Sequence, residues 1–485
     1  MLKTLLATMF TDNFFQFFIY IVLLMDKPVS DEKHSKYFSS YKPNELFWGI
    51  GIENETYIEI LRREKVSGHF FKGQKRERYS VNYYDTYREG EFNKALDTII
   101  DSAKEYDLPI LMNSHELTRN DLSGQPMTNY DKGATPNKKF SGKTVIEHMK
   151  EVNKYFEKEY NLSYCFDGDT IEFMTLEFYK TTVEHVIGEL KYHKKMFLQN
   201  LNSLNLPLTK GAKFAYPKGN YGFARFTTNM NNLAIFNNGT YHFNFTLPTI
   251  LDEKGEIKDR RNFDRRHAMA IRTIQVMEPL FIAKYGSGDI LSLSEKYRKR
   301  FPRGSQRVAA SRYIGAGTFD TNRIQTGKLL QAERKSYERG WYNELYNQIN
   351  YEKNDLIGFD INFNKFKNHG IEVRFFDLFP TENLHEVLEF LVYLLDHSVV
   401  LEHLESCIHD EFWNSIMYRA VLEGKDTFLT PDELTWLRKT LNIRIRLKNR
   451  RILDVYEQIY KYLKDKYKND GPCSRYMLEK TVVCC

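Results

Sequence analysis

Cysteine is scarce: Cys165, Cys407, Cys473, Cys484 and Cys485 are the only five in 485 residues. Their number is odd and no Cys-x-x-Cys pair occurs, so neither a disulfide framework nor a zinc site is indicated, and a reducing, cytoplasmic setting is expected. The final Cys484–Cys485 pair lacks the C-a-a-X arrangement, so a bare tail is expected rather than a lipid anchor. A dominant charge is missing too. The 70 basic and 64 acidic residues leave a net +6, an excess too small for this length to require a nucleic-acid or membrane partner. Long apolar runs are absent except for "FFQFFIYIVLLM" (14–25), which is shorter than the roughly 20 residues of a membrane span. That run reads as an uncleaved anchor, an N-terminal packing segment, or sequence upstream of a start at Met25. The last two are favoured, and no membrane partner is expected. Internal repeats and low-complexity linkers are lacking. A P-loop is lacking as well: "SGKT" (141–144) has Asn137 where the motif needs glycine, and a helix start is the better reading.

What is present is the composition of a globular chain, 42% hydrophobic and 28% charged, long enough to bury an ample core. Strand-like alternation recurs at 47–60, 170–178, 240–247 and 370–379. Helical periodicity fills 92–108, 143–160, 181–204 and 383–404, and everything after about 405 reads as helix. Mixed order without strict βαβ alternation predicts an α+β fold with an antiparallel sheet. Three regions follow: an apolar segment 1–25, a main domain 26–404, and a helical extension 405–485.

The first strand, "GIENETYIEI", poses a question. Period two puts Ile50, Ile52, Ile58 and Ile60 on one face and Glu53, Glu55, Tyr57 and Glu59 on the other. Such an acidic face either meets water or holds cations. Later strands repeat the pattern. "GTYHFNFTLP" sets Tyr241, Phe243, Phe245 and Leu247 against His242, Asn244 and Thr246. "HGIEVRFFD" opposes Ile371, Val373 and Phe375 to Glu372 and Arg374. "DGDTIEFMTLEF" carries Glu172 among apolar neighbours. Hard divalent ions take carboxylate oxygens, and gathered carboxylates repel unless cations lie between them. An arginine beside a glutamate adds a bidentate phosphate clamp to a metal ligand.

At these residues the chain resembles the glutamine synthetase-fold carboxylate–amine ligases, a superfamily that includes glutamate–cysteine ligases and amidoligases. "GIENE" is similar to the family's first-strand signature, "HFN" to its His-x-Asn strand, and "GIEVRFFD" to its closing Ile-Glu-x-Arg-Phe segment. "FDGDTIEF" resembles the amidoligase Asp-Gly-Ser…Glu strand, with Asp169 in place of serine. The motifs run in the expected order over about residues 47–380. The resemblance implies a curved antiparallel sheet flanked by helices, binding ATP and Mg2+, with Mn2+ as an alternative. By position, Glu53 and Glu55 would each face a different ion, Glu172 would join one, and His242 and Glu372 the other. Asn244 and Arg374 would contact the nucleotide, with Arg374 on the γ-phosphate and then the acyl phosphate. The implied reaction phosphorylates a carboxylate, which an amine then attacks to give an amide between small-molecule or peptide substrates. No covalent enzyme intermediate is needed, in keeping with the lack of a nucleophile motif.

Other positions carry weaker signals. Arg307 and Arg312, in "GSQRVAASRYIGAGT", resemble the basic loop that these ligases place on phosphate or substrate carboxylate; a solvated loop is the alternative. Glu177 reads as a surface or structural residue because its strand parity differs from that of Glu172. "DRRNFDRRHAMAIR" (259–272) reads as a solvated run with local Asp pairs ahead of a helix. The sequons at Asn54, Asn161, Asn238 and Asn244 are expected to be unused, since a glycan on Asn54 would block the acidic face. Two other functions are compatible with the same residues. One is a phosphotransferase on this fold. The other is a binding protein that uses basic stretches such as "LNIRIRLKNRR" (441–451).

Overall fold

The computed structural model describes residues 42–61, 110–122, 142–168, 170–204, 213–220, 239–289, 301–310, 360–363 and 370–478. It also describes short strands at 128–129, 135–136, 222–226, 233–237, 318–319 and 329–330 and the single positions 292 and 321. The apolar run 14–25, the helix expected over 92–108, Arg312 and Cys484–Cys485 lie outside the described residues.

Strands β1 (Leu46–Thr56), β2 (Ile58–Leu61), β3 (Ile110–Met112), β4 (Tyr164–Asp167), β5 (Thr170–Met174) and β6 (Lys213–Ala215) are joined by β7 (Gly222–Phe226), β8 (Leu233–Asn237), β9 (Thr240–Ile250), β10 (Ile361–Phe363) and β11 (Ile371–Asp377). The larger sheet has the order β10-β11-β9-β1-β5-β4, and all its pairings are antiparallel. The fold is therefore α+β around a mostly antiparallel sheet, as the alternation predicted. One expected strand is two. The chain breaks at Tyr57, and Ile58–Leu61 leaves for a second sheet of order β8-β7-β3-β2-β6. Glu59 pairs with Leu111 and Ala215 there, away from the Glu53 face.

Helices α1 (Val145–Val152), α2 (Val183–Ser203), α3 (Arg260–Tyr285), α4 (Gln306–Ala310), α5 (Leu384–Val400), α6 (Glu411–Glu423), α7 (Pro431–Thr440) and α8 (Ile452–Tyr467) complete the scaffold. The "SGKT" stretch is a helix start: Thr144 caps α1 and shares a capping box with Glu147. The basic run is not a prelude to a helix but its first turns. Asp259 caps α3 by accepting from the Asn262 amide at 3.0 Å, and Arg260 pairs with Asp264 at 2.8 Å. Among the described residues no helix is long and apolar enough to cross a membrane.

The apolar strand faces meet α2 and α3, α5 packs against both helices, and one hydrophobic cluster runs from Ile50 and Phe243 through Phe281 and Leu391 to Trp413 and Tyr456. A proline shows how closely the C-terminal helices belong to this core. Pro279 inside α3 has no amide to offer the carbonyl of Gln275 four residues earlier. The indole Nε1 of Trp413, from α6, donates to that carbonyl at 2.7 Å. Close packing also dictates the glycine of the first strand. A Cβ on Gly49 would lie 2.1 Å from the Phe178 ring, so any larger residue would force the ring or the strand aside.

His267 of α3 ties helix to sheet in a single protonation state. Its Nδ1 donates to the Phe263 carbonyl at 2.7 Å, and its Nε2 accepts from the Leu247 amide at 3.1 Å. Burial pushes its pKa from 6.5 down to about 3. The unfolded chain therefore takes up a proton that the folded chain refuses between about pH 6.5 and 3. This contribution to stability is fully present above pH 6.5 and is lost as the pH falls. In urea titrations, the advantage of wild type over His267→Gln is expected to shrink by about 1.4 kcal/mol per pH unit below roughly pH 6. A pH-independent difference between the two proteins would contradict this.

Candidate metal centre

Register brings distant residues together. Across the larger sheet, Glu55 lies opposite Glu172, Glu53 opposite His242, Asn244 opposite Glu372, and Glu372 opposite Asn362. Residues paired in register point to the same face, so the polar positions of five separate strands form one band above the apolar core. Glu53, His242 and Glu372 each offer a ligand atom, and these atoms lie within 4.8 Å of one another. His242 Nδ1 is 3.4 Å from Glu53 Oε2 and 3.7 Å from Glu372 Oε1, while its Nε2 is 3.0 Å from Thr240 Oγ1.

Neighbours orient each group. The Asn244 amide donates to Glu53 Oε1 at 3.2 Å, and the Asn362 amide donates to Glu372 Oε2 at 2.8 Å. Arg374 Nη1 donates to Glu372 Oε1 at 2.7 Å, whereas its buried Nε has no hydrogen-bond partner among the described residues. Thr240 Oγ1 donates to Glu55 Oε2 at 3.1 Å. Arg307, on α4, donates from Nε to the Arg374 carbonyl at 3.1 Å and holds its charge near Glu55.

The charges are far from ordinary. Burial, reinforced by Glu53 and Glu55, pushes the Glu172 carboxyl up to about 8. Burial also works to raise Glu55, but His242, Arg307 and Arg374 outweigh it and hold that carboxyl below its ordinary value. For Arg374, burial opposes the charge, yet Glu372, Glu55 and Glu53 keep the guanidinium above its usual pKa.

The structure thus brings Glu53, His242, Glu372, Asn244 and Arg374 into one cluster and sets Glu55 and Glu172 beside it as a second carboxylate pair. Glu177 stands apart at the surface, where His185 Nε2 reaches it at 2.8 Å. Asn54 and Asn244 are buried, at 0% and 5% exposure, so neither could carry a glycan in this fold. Sequence reasoning missed Asn362, Thr240 and Cys165. Cys165 lies opposite Glu172 and its Sγ is 3.2 Å from Glu172 Oε2. The signal for Asn362 was available: "INF" is a polar residue between two apolar ones, but only three residues long. Two carboxylates and an imidazole converging in a buried site form a donor set for a divalent cation.

Fold and site define an α+β protein with a buried carboxylate–imidazole centre on its antiparallel sheet. No family model matches the sequence. The chain belongs to the same family as "Uncharacterized protein R704" of Acanthamoeba polyphaga mimivirus. It is 39% identical to that protein over 458 residues, which is 92% of this chain and 79% of the relative.

Proposed function

We propose that this protein is an ATP- and divalent-cation-dependent ligase that activates a carboxylate by phosphorylation and couples it to an amine, on a sheet of glutamine synthetase type. The observation that carries this reading is the convergence of Glu53, His242 and Glu372 within 4.8 Å of one another. Arg374 extends from the same face as Glu372, two residues along the strand.

The donor set fits Mg2+ or Mn2+. Glu53, His242 and Glu372 would hold one ion, and Glu55 with Glu172 a second. Such ions, when bound, offset the negative charge of nucleotide phosphates and of a phosphoryl group in transit. The rest of the chemistry belongs to side chains. Glu372 fixes the Arg374 guanidinium, whose Nε remains a buried donor without a partner among the described residues. A phosphoryl oxygen would satisfy it in a geometry set before the substrate arrives. Arg307 stands near Glu55 and adds a second cation at the same end of the site. Asn244 orients Glu53 at 3.2 Å and is the neutral polar group available to the nucleotide. The substrates of this reading are amino acids or peptides carrying the carboxylate and the amine.

The test is a screen of amino acids and amines with Mg-ATP, following ADP release and product mass. Amine-dependent ADP release with a matching amide product is expected. ADP release that ignores the amine would replace the ligase reading with a phosphotransferase, and no turnover with any pair would sink it.

A further inference from the structure

Among the described residues, Lys194 is the only lysine or arginine buried to below a tenth of its surface, at 6% exposure in helix α2. Its ammonium donates to Asn54 Oδ1 and lies 4.5 Å from the centroid of the Tyr216 ring, so both partners are uncharged. No carboxylate among the described residues pairs with it, and burial pushes it down to about 7. A buried ammonium without a counter-ion is costly. The hydrogen bond to Asn54 does not offset that cost, because the Asn54 amide carries no charge.

In place of a counter-ion there is a cavity of about 580 Å3 beside the lysine. Lys191 and Lys195 line it together with Lys194, Leu198, Asn202 and Tyr216. The three lysines are spaced i, i+3 and i+4, so they share one helix face and repel one another when that face is empty. Leu198 and the Tyr216 ring add an apolar wall. The cavity is distinct from the acidic band: Asn54 lies between Glu53 and Glu55 on β1, and strand alternation turns it to the opposite face. The size is that of a small-molecule site.

From the cationic cluster, its missing counter-charge and the adjoining apolar wall, we infer that this cavity binds a small organic anion, a phosphate or carboxylate carried on a compact apolar body. The anion supplies the charge that Lys194 lacks, and the body packs against Tyr216 and Leu198. Binding here needs neither a metal nor a nucleotide, so it stands apart from the ligase reading and can fail or succeed without it.

Isothermal titration of the full chain, free of divalent ions and nucleotide, with phenyl phosphate and with phenylacetate tests this. At least one of the two is expected to bind with a dissociation constant of about 1 mM or tighter, and the stronger head group identifies the ligand's anion. Lys194→Met is expected to abolish that binding. The double variant Lys191→Gln/Lys195→Gln, which alters only exposed side chains, is expected to weaken it about tenfold. No binding of either compound by about 10 mM overturns the inference. So does unchanged affinity in Lys194→Met or, should that variant fail to fold, in the double variant.

Discussion

Glu53→Gln is expected to abolish Mg-ATP turnover while leaving the metal-free chain at least as stable as wild type. Glu53 is one of four clustered acids, with Glu55, Glu172 and Glu372, and its charge is one reason that the Glu172 carboxyl rises to about 8. Removing it relieves repulsion in the empty site, and a glutamine keeps a carbonyl oxygen for the Asn244 amide. The same change takes a ligand from the Glu53–His242–Glu372 set. Divalent affinity is expected to fall by more than the roughly 10- to 100-fold that loss of an outer-shell partner costs. Mn2+ titration and urea melts of the metal-free proteins measure the two effects separately. Unchanged Mn2+ affinity would remove the metal assignment.

The four acids are not equivalent, and Glu372 shows why. Glu372 is 3% exposed and is the partner of Arg374, whose Nη1 it accepts at 2.7 Å. Glu372→Gln would relieve the same repulsion but leave a buried guanidinium without its nearest counter-charge, a loss that costs more than the repulsion returns. The metal-free Glu372→Gln protein is therefore expected to be less stable than Glu53→Gln. Clustered charge is relieved by removing an acid that faces other acids, not one that faces an arginine.

The centre was legible because each contributing strand keeps strict alternation in its own sequence. His242 and Glu372 each lie between apolar residues, and Glu53 follows Ile50 and Ile52 on the opposite parity, so that burial of the apolar set fixes the direction of the polar side chain. Where alternation was too short or continued past a break, reading failed. Tyr57 is buried like its neighbours, so nothing in "ETYIEI" marks the point at which Ile58–Leu61 changes sheets. The strands at 213–237 were not seen at all, because each is only three to five residues long, and two of the three join the sheet through partners distant in sequence. The start of α3 was misplaced because arginines were weighed as charge, whereas Asp259 as a cap is the local signal. The pairing of Trp413 with the carbonyl freed by Pro279 joins residues 138 positions apart from Gln275, and no local pattern encodes it. Local period encodes which way a side chain points, and long-range complementarity decides what it meets.

Gly304→Ala is expected to be among the most damaging single-methyl changes in the protein. The Gly304 amide donates to the Val421 carbonyl at 2.8 Å and the Arg303 amide to Leu422 at 3.0 Å, satisfying the end of α6. A Cβ at 304 would stand 1.9 Å from the Ala420 carbonyl oxygen and 2.9 Å from that of Val421. These are backbone atoms at a helix end, with no rotamer to yield, so the segment must retreat and those hydrogen bonds lengthen or break. The loss is about 3 kcal/mol or more. It does not stop at the seam. Ser305 Oγ donates to Asp377 Oδ2 at 2.6 Å and the Gln306 amide to the Ser287 carbonyl at 2.8 Å, and these contacts seat α4 on the end of β11. Arg307 follows directly, so a displaced Gly304 also carries its guanidinium away from Glu55 and from the Arg374 carbonyl. Gly188 in α2 is the control: a Cβ there meets nothing within 4 Å, and Gly188→Ala is expected to be neutral or stabilising by up to about 1 kcal/mol. Urea melts of the two variants side by side decide the matter. Equal midpoints would mean that the seam between α6 and the 301–310 segment does not hold the site in place.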